Sequence, residues 1–141
     1  MESNGKIVLT VENVIHAPIQ KTWDCWTKPV HIIHWNYASV DWHSPRAEND
    51  LRVGGHFNTR MEAKDGSMGF DFEGIYDEVK ENELIKYSLA DGREVTIQFI
   101  EMDNNTKVIE SFHAESENTI ELQQTGWQAI LDNFKKYTES I

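Results

Sequence analysis

The stretch "GWQAILDNFKKYTE", Gly126 to Glu139, decides the fold. Trp127, Ile130, Leu131, Phe134 and Tyr137 fall at i, i+3, i+4, i+7 and i+10, the spacing of one face of an α-helix. Gln128, Asp132, Lys135, Lys136 and Glu139 take the opposite side. Upstream, Asn118 with Glu121 has the form of a cap and its third-position acid, so the helix is expected to begin there. About 23 residues at 1.5 Å each make a rod roughly 34 Å long. Burial of its five large side chains contributes on the order of 8 to 15 kcal/mol before ordering entropy is subtracted. A stripe of that length needs a broad apolar surface to cover it, and the preceding sequence has to supply one.

It reads as a sheet. From Lys6, "KIVLTVENVI" alternates, with Ile7, Leu9 and Val11 on one side and Ile15 rejoining them, which predicts a first strand over 6–15. Ala17 and Pro18 open "APIQKTWDCWT", where Ile19, Trp23 and Trp26 follow at helix spacing. Pro29 ends that helix, and "PVHIIHWNYA" predicts a second short one. Turn signals then recur at Gly54–Gly55, "KDGS", "ADGR" and "DNNT". The segments between them, "GHFNTRMEA", "MGFDFEGIYDEV", "LIKYSLA", "EVTIQFIEM" and "TKVIESFHA", are expected to be consecutive antiparallel strands. The predicted architecture is α+β: one domain over residues 1–141, in which a curved antiparallel sheet wraps around the C-terminal helix. Gly74 is expected to bend or bulge its strand, and Gly126 to let helix and sheet backbones approach closely.

Composition narrows the partners. The 141 residues include 13 basic and 24 acidic side chains, a net charge of -11. That field repels phosphate backbones and anionic lipid surfaces, so neither nucleic acid nor membrane is an expected partner. Cys25 is the sole cysteine, which excludes an intrachain disulfide and suits a reducing compartment. No signal-peptide pattern or apolar run of membrane length is present, and the cytoplasm is the expected location, with a monomer or weak dimer as the expected state. Five Trp, four Tyr and six Phe must supply much of the buried area.

The order of "HAPIQKTWDCWT" after the first strand, "GGHF", the "DG" hairpin, "FEGIYDEV" and the closing "GWQAILDNFKKYTE" resembles the START-like helix-grip superfamily. Within it, the sequence is most similar to the single-domain bacterial homologues of the activator of the heat-shock-protein-ninety ATPase. The likeness runs from about Lys6 to Glu139, and "NDLRVGGHFNTRMEAKDG" with "GFDFEGIYDEV" is its most specific part. One departure is "KENE", where the family usually has a Pro-Pro-Glu-Arg turn. The resemblance implies an apolar cavity between the long helix and the sheet. Branches of the superfamily bind lipids, hormones or polyketides, or carry out cyclisation.

Several residues within that frame carry chemistry. In "KPVHIIHWNYASVDWHSP", His31 and His34 share a helix face and His43 follows. Zinc needs three or four convergent ligands, and with no evident fourth no metal is assigned. Cys25 lies between Trp23 and Trp26 and reads as a small buried hydrophobe. If Phe70 and Phe72 point inward, Asp71 and Glu73 point outward. With no inward carboxyl identified, no catalytic residue and no cofactor is assigned. The expected ligand-binding wall comprises Trp35, Trp42, His43, Phe57, Thr59, Met61, Phe70, Phe72, Tyr76, Tyr87, Trp127, Leu131 and Phe134. The deepest of these rings are expected to fill a solid core. The leading functional expectation is binding of a small hydrophobic molecule. The alternatives are a protein-interaction role of the chaperone-ATPase-activator kind, and a cyclase or isomerase using an inward His or Tyr.

Overall fold

A computed structural model describes residues 7–141. In chain order the elements are β1 (Val8–Ile15), α1 (Ile19–Thr27), α2 (Pro29–Ile32), β2 (Trp42–Asn49), β3 (His56–Ala63), β4 (Gly69–Lys80), β5 (Leu84–Leu89), β6 (Glu94–Met102), β7 (Asn105–His113) and α3 (Ile120–Ser140). The seven strands form one antiparallel sheet in the order β1-β7-β6-β5-β4-β3-β2. Strands β2 to β7 run as a meander, and β1 adds to its far side beside β7. The sheet curls as a half-barrel around α3, with α1 and α2 closing one end: a helix-grip fold. Lys6, expected to open the first strand, lies outside the described residues.

The apolar stripe of α3 enters the concave face as its spacing predicts. Leu131 and Phe134 are wholly buried. Phe134 meets the edges of Trp26 and Trp35 at centroid distances of 4.8 and 4.9 Å, while Trp127 stacks flat on Phe112 of β7 at 3.9 Å. One polar flank of the helix also binds the sheet. β1 is an edge strand whose outward carbonyls lack a neighbouring strand, and α3 supplies the missing donors. Gln124 Nε2 donates to Thr10 O at 2.8 Å, Gln128 Nε2 to Glu12 O at 3.2 Å and Lys135 Nζ to Val14 O at 2.6 Å. At the end of the row, the His16 backbone N–H donates to Glu139 Oε2 at 2.7 Å.

The observed fold differs from the expected one in several places. Strand β2 is additional to the expected set, because "WHSPRAEN" shows no alternation and contains Pro45. It is the other edge of the sheet, where a residue without an N–H is tolerated, and its pairing with β3 shifts register between His43 and Arg46, across that proline. Helix α2 covers only four residues of the ten expected. The cap of α3 is Thr119 rather than Asn118: its side chain accepts from the Leu122 N–H at 3.1 Å.

Both glycine expectations change. At Gly74 the ladder with β3 is regular, and the irregularity in β4 falls between Tyr76 and Glu78. A Cβ at position 74 would lie 2.7 Å from Ser88 O and 2.9 Å from the Phe57 ring, so the missing side chain makes room for Phe57 to lie across the strand. At Gly126 a Cβ would meet nothing within 4 Å, so no close approach requires glycine there. Gly74→Ala is therefore expected to destabilise by about 1 to 3 kcal/mol through overpacking. Gly126→Ala is expected to stabilise by up to about 1 kcal/mol through helix propensity. Urea unfolding of the two variants against wild type checks the pair.

Candidate functional site

A pocket of about 360 Å³ lies between the N-terminal half of α3, the concave face of the sheet and the chain that follows α2. Most of its wall is apolar or aromatic. Alternation on each strand delivers it: Phe57, Thr59 and Met61 project from β3, Tyr76 from β4, Ile85 and Tyr87 from β5, all to the concave side. Phe57 is the hub of an aromatic group, 4.6 Å from Tyr87, 5.3 Å from Tyr76 and 5.9 Å from Phe72. Phe72 also meets Trp127 edge-on at 6.1 Å, which joins sheet to helix across the pocket.

Of the residues proposed from sequence, the structure brings Trp35, Phe57, Thr59, Met61, Phe70, Phe72, Tyr76, Tyr87 and Trp127 to this wall. Phe70 sits at the rim, 47% exposed, with Trp42 packed behind it at 5.9 Å. Four do not line the pocket. Trp42 contacts it only through Phe70. His43 lies at the β2 edge with its ring 3.9 Å from Glu62. Leu131 and Phe134 belong to the lower half of α3, where helix and sheet are in full contact. The two histidines of the HxxH pair are engaged with Tyr137: His31 Nδ1 is 2.6 Å from its hydroxyl and His34 stacks on its ring at 5.4 Å. Among the described residues no three His, Cys, Asp or Glu side chains converge as a metal site would require. Cys25 is buried on the inner side of α1, and burial raises its thiol pKa.

The polar groups of the wall fall into two kinds. Some are already satisfied. Tyr76 donates to Asn49 Oδ1 at 2.5 Å, and Asn49 Nδ2 donates to Thr27 O at 2.6 Å. Gln123 Nε2 donates to the backbone carbonyls of Glu115 and Asn118, tying the loop before α3 to its first turn. Arg93 Nε is held by Asp91 at 2.8 Å.

Two are not. Glu110 is 4% exposed, on the concave face of β7, and its register neighbours are Val11 on β1 and Ile97 on β6. Among the described residues its carboxyl has no hydrogen-bond partner, and desolvation alone raises its pKa from 4.5 to about 8. The Tyr87 hydroxyl is likewise without a partner among the described residues. Its pKa is pushed well up by burial first, then by the charge of nearby Glu110. Sequence reasoning missed Glu110, yet a signal was there. In "TKVIESFHA", Val108 and Phe112 mark the inward face, and Glu110 stands between them at the same parity.

A fold of this kind recurs in known proteins. Residues 16–139 match the family model described as activator of Hsp90 ATPase homolog 1-like protein. The chain belongs to that family. The solution structure of an AHSA1-like protein from Aeromonas hydrophila is similar at 44% identity, with a TM-score of 0.89 over 95% of this chain and 93% of that one. A protein from Cytophaga hutchinsonii is similar at 54% identity, with a TM-score of 0.81 over 93% of this chain and 91% of that one. A protein of unknown function from Staphylococcus aureus, at 17% identity and a TM-score of 0.72 over 96% of both chains, shares the fold alone. Among curated proteins no match is found. No helix among the described residues of this AHSA1-like chain is long and apolar enough to cross a membrane.

The state of Glu110 has a measurable consequence. The folded chain keeps this proton to about pH 8, whereas an ordinary glutamate loses it near 4.5. Between those values the folded state binds more protons than the unfolded state, so the stability tied to Glu110 falls as pH rises toward 8 and is flat beyond it. Relative to Glu110→Gln, the wild type is expected to lose up to about 4 kcal/mol between pH 5 and pH 9, a ceiling set by 1.36 kcal/mol per pH unit over the roughly three units from pH 5 to the folded pKa. Urea unfolding of both proteins at pH 5, 7 and 9 measures the difference, and parallel curves would contradict the assignment.

Proposed function

We propose that this AHSA1-like protein binds a small, mainly apolar molecule in the pocket between α3 and the sheet. The observation that carries the reading is the pocket itself: about 360 Å³, walled largely by aromatic and aliphatic side chains with a few polar groups, in the size range of small-molecule sites. A fully packed core of this fold would have closed that space. Instead the helix presents Gly126 to it, and nothing fills the position a Cβ would take. The ligand lies between Trp127 on the helix side and Phe57, Phe72 and Tyr87 on the sheet side. Entry is past Phe70 at the rim.

Trp127 and Trp35 both line the pocket and report on its occupancy. Titration with naphthalene-sized hydrophobic compounds is expected to change tryptophan fluorescence saturably. At a free concentration of about 100 times Kd, the ligand should add roughly 2.7 kcal/mol to stability, read as a rise in Tm. Gly126→Leu places a side chain in the void. It is expected to weaken binding at least about tenfold without lowering Tm, because the helix gains propensity at the same position. Full-strength binding to that variant would place the ligand elsewhere.

A further inference from the structure

We propose that the inner end of the pocket is a two-donor cradle, formed by the Glu110 carboxyl and the Tyr87 hydroxyl, for a neutral acceptor oxygen such as a ketone on an otherwise apolar ligand. This rests on the pocket being a ligand site and names the chemistry that site selects. Tyr87 projects from β5 and Glu110 from β7 on the same concave face. Between them β6 offers only Val95, paired with Tyr87, and Ile97, paired with Glu110. The two polar groups are therefore two strands and one inward position apart, with no polar side chain in between. Both line the void, both are more than nine-tenths buried, and neither has a hydrogen-bond partner among the described residues.

Both side chains open on the pocket, so a ligand that fills it has to supply their hydrogen bonds or leave them unpaired, and the second outcome costs affinity. Their surroundings decide which ligand. Around Glu110, β1 presents Val11, β6 presents Ile97, and the helix stretch over the pocket presents Gln123, Trp127 and Ile130, none of them charged. The titratable and charged groups on the pocket wall are Tyr87, Tyr76, Arg93, Glu115 and Glu48. Of these, Glu115 accepts from Asn118, Arg93 is paired with Asp91, and Glu48 is exposed on the edge strand. Burial keeps the Glu110 proton in place at neutral pH, so the carboxyl and the hydroxyl both offer O–H donors. An ammonium group would have to displace that proton and sit on the same wall as Arg93. A carboxylate would meet Glu48 and Glu115 on the way in, under a net charge of -11. A neutral carbonyl oxygen satisfies both donors and incurs neither penalty.

Four size-matched probes test this: 2-acetylnaphthalene, 2-isopropylnaphthalene, 1-(2-naphthyl)ethylamine and 2-naphthoate, each titrated by calorimetry and tryptophan fluorescence. The ketone is expected to bind at least about tenfold more tightly than the other three. Its affinity should be constant from pH 6 to 7 and fall up to tenfold per pH unit above about pH 8. Glu110→Gln keeps a donor and removes the titration, so it should retain the ketone preference and lose the pH dependence. Glu110→Leu and Tyr87→Phe should each bring the ketone to the level of the isopropyl compound. Unliganded Glu110→Leu should also have a higher Tm than wild type, a result that a purely structural glutamate would reverse.

Equal binding of ketone and isopropyl compound overturns the cradle while leaving the pocket reading intact. Tightest binding by the amine with proton release, or by the naphthoate, overturns it in favour of an ionic site. If none of the four binds, the pocket reading falls and the cradle with it.

Discussion

The fold depends on how α3 is fastened to the first strand. An edge strand exposes a row of backbone carbonyls, and here the row formed by Thr10, Glu12 and Val14 is met by side chains from a single helix. Gln124 and Gln128 reach Thr10 and Glu12 in register, because four residues along a helix and two along a strand both advance by about 6 to 7 Å. Lys135, further along the helix, reaches Val14 with its longer side chain. One polar flank of α3, beside its apolar stripe, is thus bound to the sheet as the stripe is. Its lacing protects the edge from pairing with another chain and fixes the rotation of the helix. Asn13, which donates to Asp132 at 2.9 Å, joins the same seam.

Fixing that rotation is what makes the pocket. The sheet curls away from β1, while α3 stays at β1. Toward the C-terminal half of the helix the gap is filled from the side: Phe134 is packed by Trp26 and Trp35, and Trp35 is itself anchored by Nε1 donating to Cys25 O at 2.9 Å. Toward the N-terminal half no such plug exists, and the helix has a glycine where a large side chain could have stood. The stacked pair of Trp127 and Phe112 holds this half in place from the β7 side, leaving the space over β3 to β5 unfilled. One helix face therefore serves as core at one end and as pocket wall at the other.

That division explains what could be read from the sequence. The helix, its buried stripe and five strands of the meander follow from periods of 3.6 and 2, which depend on local spacing. β2 could not be read that way. Its order comes from pairing on one side only, so its sequence is free to carry Pro45 and polar residues. Trp127, Leu131 and Phe134 share a stripe, and periodicity cannot say at which level along the stripe the sheet has curled away. That is a long-range property of curvature. Spacing places His31 and His34 on one helix face and assigns them no partner; their actual neighbour, Tyr137, is more than a hundred residues distant. Glu110 differs from these cases. Strand parity was sufficient to place it inward, and only its charge argued against doing so.

Glu110 also shows why a sheet of this kind tolerates an ionisable group in its interior. Its row neighbours Ile85 on β5, Ile97 on β6 and Val11 on β1 are all apolar, and a leucine on β7 would complete an apolar line across four strands at similar volume. Nothing in the packing requires a carboxyl there. Among the described residues none gives it a hydrogen bond, and desolvation alone raises its pKa. An interior polar group that no structural partner satisfies is held against the stability of the fold. Its one open side faces the void beneath α3, which is where a partner for it has to come from.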